Sequence, residues 1–223
     1  CALRAIDNPF YQQLMNYQQF VKINQLDPPE GFSSLESFNL ELNDYLNQIH
    51  QTKHHPLGQS IRDGTQTTGN LVSRNNSLVN ALFKNFQKIV DSELPDDFFD
   101  RLSRDHPLKL ARSKRRLISS GWSIRAFEGG FHQSHVHTRG SYSSAYYVNV
   151  PDGVSNGDFN DGTLNFGVPG VHVAGDWKEE YVVKPQAGDL VLFPSYFWHG
   201  TTTFMGAGTR LVVAFDVMLQ DRV

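Results

Sequence analysis

The sequence predicts a mainly β protein, a jelly roll or small barrel, preceded by helices. Up to about residue 115, apolar residues recur at three- and four-residue steps, the period of a helix packed by one face. Beyond it, short runs rich in β-branched and aromatic residues are bounded by Gly, Pro and Asp. Many short strands in series are managed by closing them into a jelly roll or barrel. With 223 residues, the chain is expected to form one structural domain. Within it, 1–115 is a mainly helical region packed on a β core of 116–223.

The elements follow in order. A faint stripe over Tyr11 to Val21 predicts a first helix. Leu35, Phe38, Leu42, Leu46 and Ile49 form one apolar face of a second. The segment from His54 to Thr67 is punctuated by Pro, Gly and Thr and reads as an irregular loop. Leu78, Leu82, Phe86, Ile89 and Val90 mark a third helix, with Asn75 or Asn76 placed to cap it. Arg101, Arg104, Lys109, Arg112, Lys114, Arg115 and Arg116 make a basic stretch without an aromatic stacking platform, which reads as a solvated linker. Strands are then expected at Leu117 to Phe127 (interrupted at Gly121), Ser143 to Val150, Thr163 to Phe166, Tyr181 to Val183, Asp189 to Phe193 and Thr209 to Met218.

Bulk properties exclude more than they select. A formal charge of −3 gives no general attraction to nucleic acid or acidic membranes. No apolar run is long enough to span a bilayer, and no signal peptide is visible. The single cysteine, Cys1, forms no intrachain disulfide. The expected setting is therefore reducing and cytoplasmic, although an opening Cys in place of Met is also compatible with a processed or longer parent chain.

The chemistry concentrates in histidines. His135 and His137 are read as alternate residues of a strand, so both rings share one face. His199 lies beyond a Gly-Asp turn, a buried apolar strand and Pro194. Three imidazoles converging in this way suit iron, nickel, copper or zinc. Arg210 follows, and its guanidinium fork matches a carboxylate. His132, three residues before His135, reads as a pocket neighbour. Ser123 and Arg125, which alternate after Trp122, and Asn149 are weaker candidates for the pocket wall. His50, His54, His55, His106 and His172 read as surface or loop residues. Tyr196, Phe197 and Trp198 beside His199 are read mainly as rim packing.

The segment from Trp122 to Val217 resembles the 2-oxoglutarate/Fe(II)-dependent dioxygenases, and most closely a variant with His-x-His in place of His-x-Asp. The resemblance is carried by Phe131 to His137, Ser143 to Val150 and Gly188 to Arg210. It implies a double-stranded β-helix, cupin-like and flanked by α-helices, with His135, His137 and His199 on Fe(II). It implies Arg210, with Tyr147 beside Asn149, at the remote carboxylate of 2-oxoglutarate. The implied reaction hydroxylates an unknown substrate, a small molecule or a protein side chain, with release of succinate and CO2. A homodimer is compatible with the helical region.

The departure is His137, which stands where the family pattern has Asp or Glu. Asp158 and Asp161 are lower-ranked alternatives for a third ligand. Two competing readings follow. One is a cupin-type three-His enzyme without an oxo-acid, but no Glu follows His137 at short range and Arg210 then has no task. The other is a binding module that kept the barrel and lost the chemistry.

Overall fold

The computed structural model describes residues 1–52, 54, 58–155 and 161–222. Short helices Ala2–Ala5 (α1), Phe10–Leu14 (α2) and Tyr17–Phe20 (α3) lead into strand Lys22–Gln25 (β1). The continuous helix expected over Tyr11 to Val21 is thus two pieces. Asn16 divides them, its side chain capping α3 by accepting from the Gln19 N–H.

Helix Leu35–Ile49 (α4) has the predicted bounds. Ser34 and Ser37 exchange side-chain bonds in a capping box, and Phe38, Leu42 and Leu46 are fully buried. Strand Ile61–Gln66 (β2) follows, then helices Ser77–Glu93 (α5) and Asp96–Asp100 (α6). Asn76 caps α5 by accepting from the Val79 N–H. Phe86 of α5 is fully buried against Phe215, at a ring distance of 4.8 Å, and Tyr146, at 5.2 Å. Burying such a side chain stabilises the fold by about 1.5–3 kcal/mol.

The remaining strands are Lys114–His132 (β3), Tyr142–Asn149 (β4), Leu164–Phe166 (β5), Tyr181–Val183 (β6), Asp189–Pro194 (β7), His199–Thr201 (β8) and Arg210–Asp221 (β9), with helix Asp152–Ser155 (α7) after β4. They form two antiparallel sheets, ordered β1-β7-β4-β9-β3-β2 and β6-β5-β8. The sheets meet where Phe166 of β5 packs on Phe193 of β7 at 5.1 Å. The result is a jelly roll, the double-stranded β-helix expected, with α4 and α5 on the outer face of the larger sheet. β4 alternates accordingly. Tyr146 points to the helices and donates to Asn39 Oδ1 at 2.7 Å, while Tyr147 points into the roll. One hydrophobic cluster runs from Tyr17 in the helical region to Val217 in β9. Among the described residues, no helix is long and apolar enough to cross a membrane.

Several expectations are corrected. Residues 61–66 are not irregular loop but β2, paired with β3 from Ile61↔His132 to Gln66↔Ile124. A register shift between Arg62 and Gly64 and a positive φ of 46° at Asp63 break the alternation that would have revealed the strand. Gly121 does not interrupt β3. A Cβ there would lie 2.4 Å from the Phe83 ring, so the glycine admits α5 close to the strand. Arg116 is not solvated. It is buried and paired with Asp96 at 3.0 Å, over the Phe99 ring. His50 and His106 are buried rather than superficial. His54 and His172 are exposed, and His55 lies outside the described residues.

Candidate active site

Three backbone contacts bring the histidines together. The His135 N–H donates to the His199 carbonyl at 2.9 Å, and the His199 N–H returns the bond at 3.0 Å. The His137 N–H donates to the Ser195 carbonyl at 2.9 Å. The His-x-His segment is therefore a single β-bridge beyond the end of β3 rather than part of a longer strand. Gly200 allows the approach, because a Cβ there would lie 2.9 Å from the His132 carbonyl oxygen.

Ring centroids of His135 and His199 are 4.3 Å apart, those of His135 and His137 5.1 Å, and those of His137 and His199 5.2 Å. One nitrogen from each lies within 4.8 Å of the other two, and no carboxylate joins the group among the described residues. Each Nδ1 is already engaged, that of His135 with the Gln133 carbonyl at 2.8 Å, that of His199 with the Phe197 carbonyl at 2.9 Å, and that of His137 with Asp216 Oδ1 at 2.6 Å. All three partners are acceptors, so Nδ1 carries the proton and the Nε2 lone pair is left for a metal. Burial pushes the His135 pKa down to about 4 and that of His199 well below its ordinary value, with the neighbouring imidazoles adding to both shifts. Both are thus held in the neutral, metal-binding form. The donor set fits a divalent first-row metal such as Fe(II). Asp161 is not in the group, and Asp158 lies outside the described residues.

The histidines open on a cavity of about 330 Å3, within the range of small-molecule sites. Arg210, only 2% exposed, lines it together with Tyr147, Leu164 and Thr201. Its Nη1 donates to the Gly162 carbonyl at 2.8 Å, its Nη2 to Thr201 Oγ1 at 2.9 Å, and the guanidinium lies over the Phe204 ring. Burial lowers the Arg210 pKa. Burial raises that of Tyr147 to about 12, against an opposing pull from Arg210, so the phenol keeps its proton. Thr201 is two residues past His199 on β8, roughly 7 Å along the strand on the same face. A buried guanidinium thus stands across the same cavity from the imidazoles, one strand repeat beyond His199.

The other predicted residues divide. His132 lines the cavity, with Nδ1 3.0 Å from Ser60 Oγ, and that hydroxyl also approaches His135 Nε2 at 3.4 Å. Ser123 and Arg125 face the reverse side of β3. Trp122 and Ile124 take the cavity side, while Ser123 bonds His50 at 3.0 Å and Arg125 bonds Asn47 at 3.0 Å. Asn149 turns away to donate to the Thr209 carbonyl. Tyr196 and Phe197 pack the N-terminal helices onto the rim, through the Leu14 carbonyl and the Tyr17 ring. Asp216, Thr201, Ser60 and Gln66 were not anticipated. For Asp216 the signal was present, since it follows Arg210, Val212 and Ala214 in even steps along one face of β9.

Residues 120–216, a little under half of the chain, match the family described as "Putative 2OG-Fe(II) oxygenase". No curated protein matches the chain significantly. Among solved structures, a Pseudomonas putida prolyl-4-hydroxylase superposes with TM-score 0.54 at 14% identity, over 94% of this chain and 97% of that one. The viral collagen prolyl hydroxylase of Paramecium Bursaria Chlorella virus-1, in its 2OG complex, gives TM-score 0.56 at 10% identity over 89% and 95%. A Trichoplax adhaerens prolyl hydroxylase, in complex with a hypoxia inducible factor oxygen degradation domain peptide fragment, gives 0.55 at 14% over 97% and 92%. At these identities the likeness concerns the fold.

Proposed function

We propose that this chain, a 2OG-Fe(II) oxygenase by the match over residues 120–216, holds Fe(II) on His135, His137 and His199 and grips 2-oxoglutarate through Arg210. Iron and 2-oxoglutarate, when bound, would supply the chemistry by which dioxygen is split between succinate, formed with CO2 by oxidative decarboxylation, and the hydroxyl group of the oxidised substrate. The observation that supports the residue assignment is the pairing of three Nδ1-anchored imidazoles with a buried arginine across one cavity. A metal site without an oxo-acid gives that buried cation no counter-ion among the described residues, only the Gly162 carbonyl, the Thr201 hydroxyl and the Phe204 ring.

The protein's own part is positioning and desolvation. The Nδ1 acceptors fix the tautomer and aim of each imidazole. Arg210, pinned by Gly162 and Thr201, retains N–H donors for a carboxylate. Tyr147 offers its phenol proton to the same anion. Trp122, Val136, Ile124 and Ala214 wall the remaining space and exclude water. The substrate is a small molecule or a peptide side chain, and the chain works in the cytoplasm, in keeping with its single cysteine.

Anaerobic titration of Fe(II)-loaded protein with 2-oxoglutarate tests this. A saturable visible charge-transfer band is expected in the wild type. His199→Ala is expected to lose the metal, whereas Arg210→Ala keeps the metal and binds 2-oxoglutarate more weakly. Unchanged metal content in the first, or unchanged co-substrate affinity in the second, overturns the corresponding assignment.

A further inference from the structure

The geometry points to Asp216 as the positioning residue that restores, through His137, the negative charge missing from an all-imidazole ligand set. The inference rests on the three-His assignment above. A carboxylate ligand would lower the charge of a divalent site by one, and three neutral imidazoles leave it at two. The nearest acid is one ring away. Asp216 Oδ1 accepts from His137 Nδ1 at 2.6 Å, a short charge-assisted bond with both side chains about 15% exposed. The same oxygen accepts from Ser143 Oγ at 2.7 Å, and Ser143 Oγ lies 2.8 Å from Ser195 Oγ. Ser195 also holds the His137 backbone through its carbonyl.

The carboxylate is therefore aimed from β9 by a serine of β4, and the imidazole from the β7–β8 turn. His135 and His199 have only neutral carbonyls at Nδ1. His137 alone of the three faces an anion, and it is also the residue standing at the expected carboxylate position. A carboxylate on Nδ1–H makes the imidazole a stronger and more anionic donor at Nε2. The charge stands on the group behind the ligand rather than on the ligand itself, and His137 differs from His135 and His199 in that respect.

Calorimetric titration of Fe(II) into the metal-free full chain, under anaerobic conditions, tests this. Asp216→Asn keeps the side chain's size but removes its charge, and is expected to weaken Fe(II) binding by about 10- to 100-fold. With saturating Co(II), its ligand-field band shifts from the wild-type position, because the donor strength of His137 has changed. A residue that merely fills space leaves that band unmoved. Wild-type affinity and an unshifted band in Asp216→Asn, with His137→Ala devoid of metal, overturn the inference and leave the ligand assignment standing. Metal retained by His137→Ala at wild-type affinity overturns both. If Asp216→Asn does not fold, Ser143→Ala carries the test, with a loss of about fivefold expected for one removed hydrogen bond and unchanged affinity counting against the inference.

Discussion

Arg210 Nη2 donates to Thr201 Oγ1 at 2.9 Å, which ties the buried guanidinium to the strand that begins at His199. The spacing between the buried guanidinium and the His199 imidazole is thereby held through one short strand. A consequence concerns the shape of the cation rather than its charge. Arg210→Lys preserves charge but cannot bond the Gly162 carbonyl, Thr201 and a carboxylate in the same fork geometry. Its affinity for 2-oxoglutarate should fall by about tenfold or more, the effect of losing roughly 1.4 kcal/mol, with Fe(II) affinity unchanged. Equal 2-oxoglutarate dissociation constants for Arg210→Lys and wild type would show that charge alone suffices.

Gly200 permits the bridge between His135 and His199. An alanine Cβ would meet the His132 carbonyl oxygen at 2.9 Å and the Ser134 backbone at 3.1 Å, both too near for relief by rotating a side chain. Gly200→Ala should therefore lower stability by about 1–3 kcal/mol, as overpacking does. It should also purify with less than one metal per chain, because the strand carrying His199 is pushed from the segment carrying His135. Thermal melts and metal analysis check this, and a protein with wild-type melting temperature and full metal content refutes it.

Much of this was readable from the chain. The stripes of α4 and α5 lie in regular helices, where a 3.6-residue period survives unbroken from Leu35 to Ile49 and from Leu78 to Val90. Convergence of His135, His137 and His199 followed from alternation and the intervening buried strand. The phase of β3 was not readable. Ser123 and Arg125 were expected in the pocket, yet Trp122 and Ile124 occupy that face. Both faces of β3 are covered, one by the cavity and the other by α5 at Gly121 and the end of α4 at Ser123 and Arg125, so polarity does not tell them apart. β2 escaped because its bulge and its left-handed Asp63 break the period of two. Asp216 shares the phase of Arg210, Val212 and Ala214 on β9, which puts it on the right face, but its contact with His137, 79 positions earlier, is created only by the fold.

The reverse face of β3 yields a prediction about pH. His50 ends α4 and lies 7% exposed, with Nδ1 2.8 Å from Thr65 Oγ1 and Nε2 3.0 Å from Ser123 Oγ. Burial pushes its pKa down to about 4 from an ordinary 6.5, and the nearby Arg125 charge adds to the shift. The folded state therefore resists a proton that the unfolded chain accepts. Above about pH 6.5 neither state is protonated and His50 adds no pH dependence. Between 6.5 and 4 the unfolded state binds more protons, so stability falls as pH falls, by a total on the order of 3 kcal/mol once both states are protonated. The buried imidazoles of His132, His135 and His199 are also shifted down, so the comparison must be made against a variant. In the presence of a chelator, His50→Gln should be less stable than wild type at pH 7.5, having lost its fit between Thr65 and Ser123. It should nevertheless lose distinctly less stability than wild type between pH 6.5 and 4.5. Urea unfolding midpoints across that range measure the difference, and parallel pH profiles for the two proteins would mean that His50 is protonated in the fold as readily as outside it.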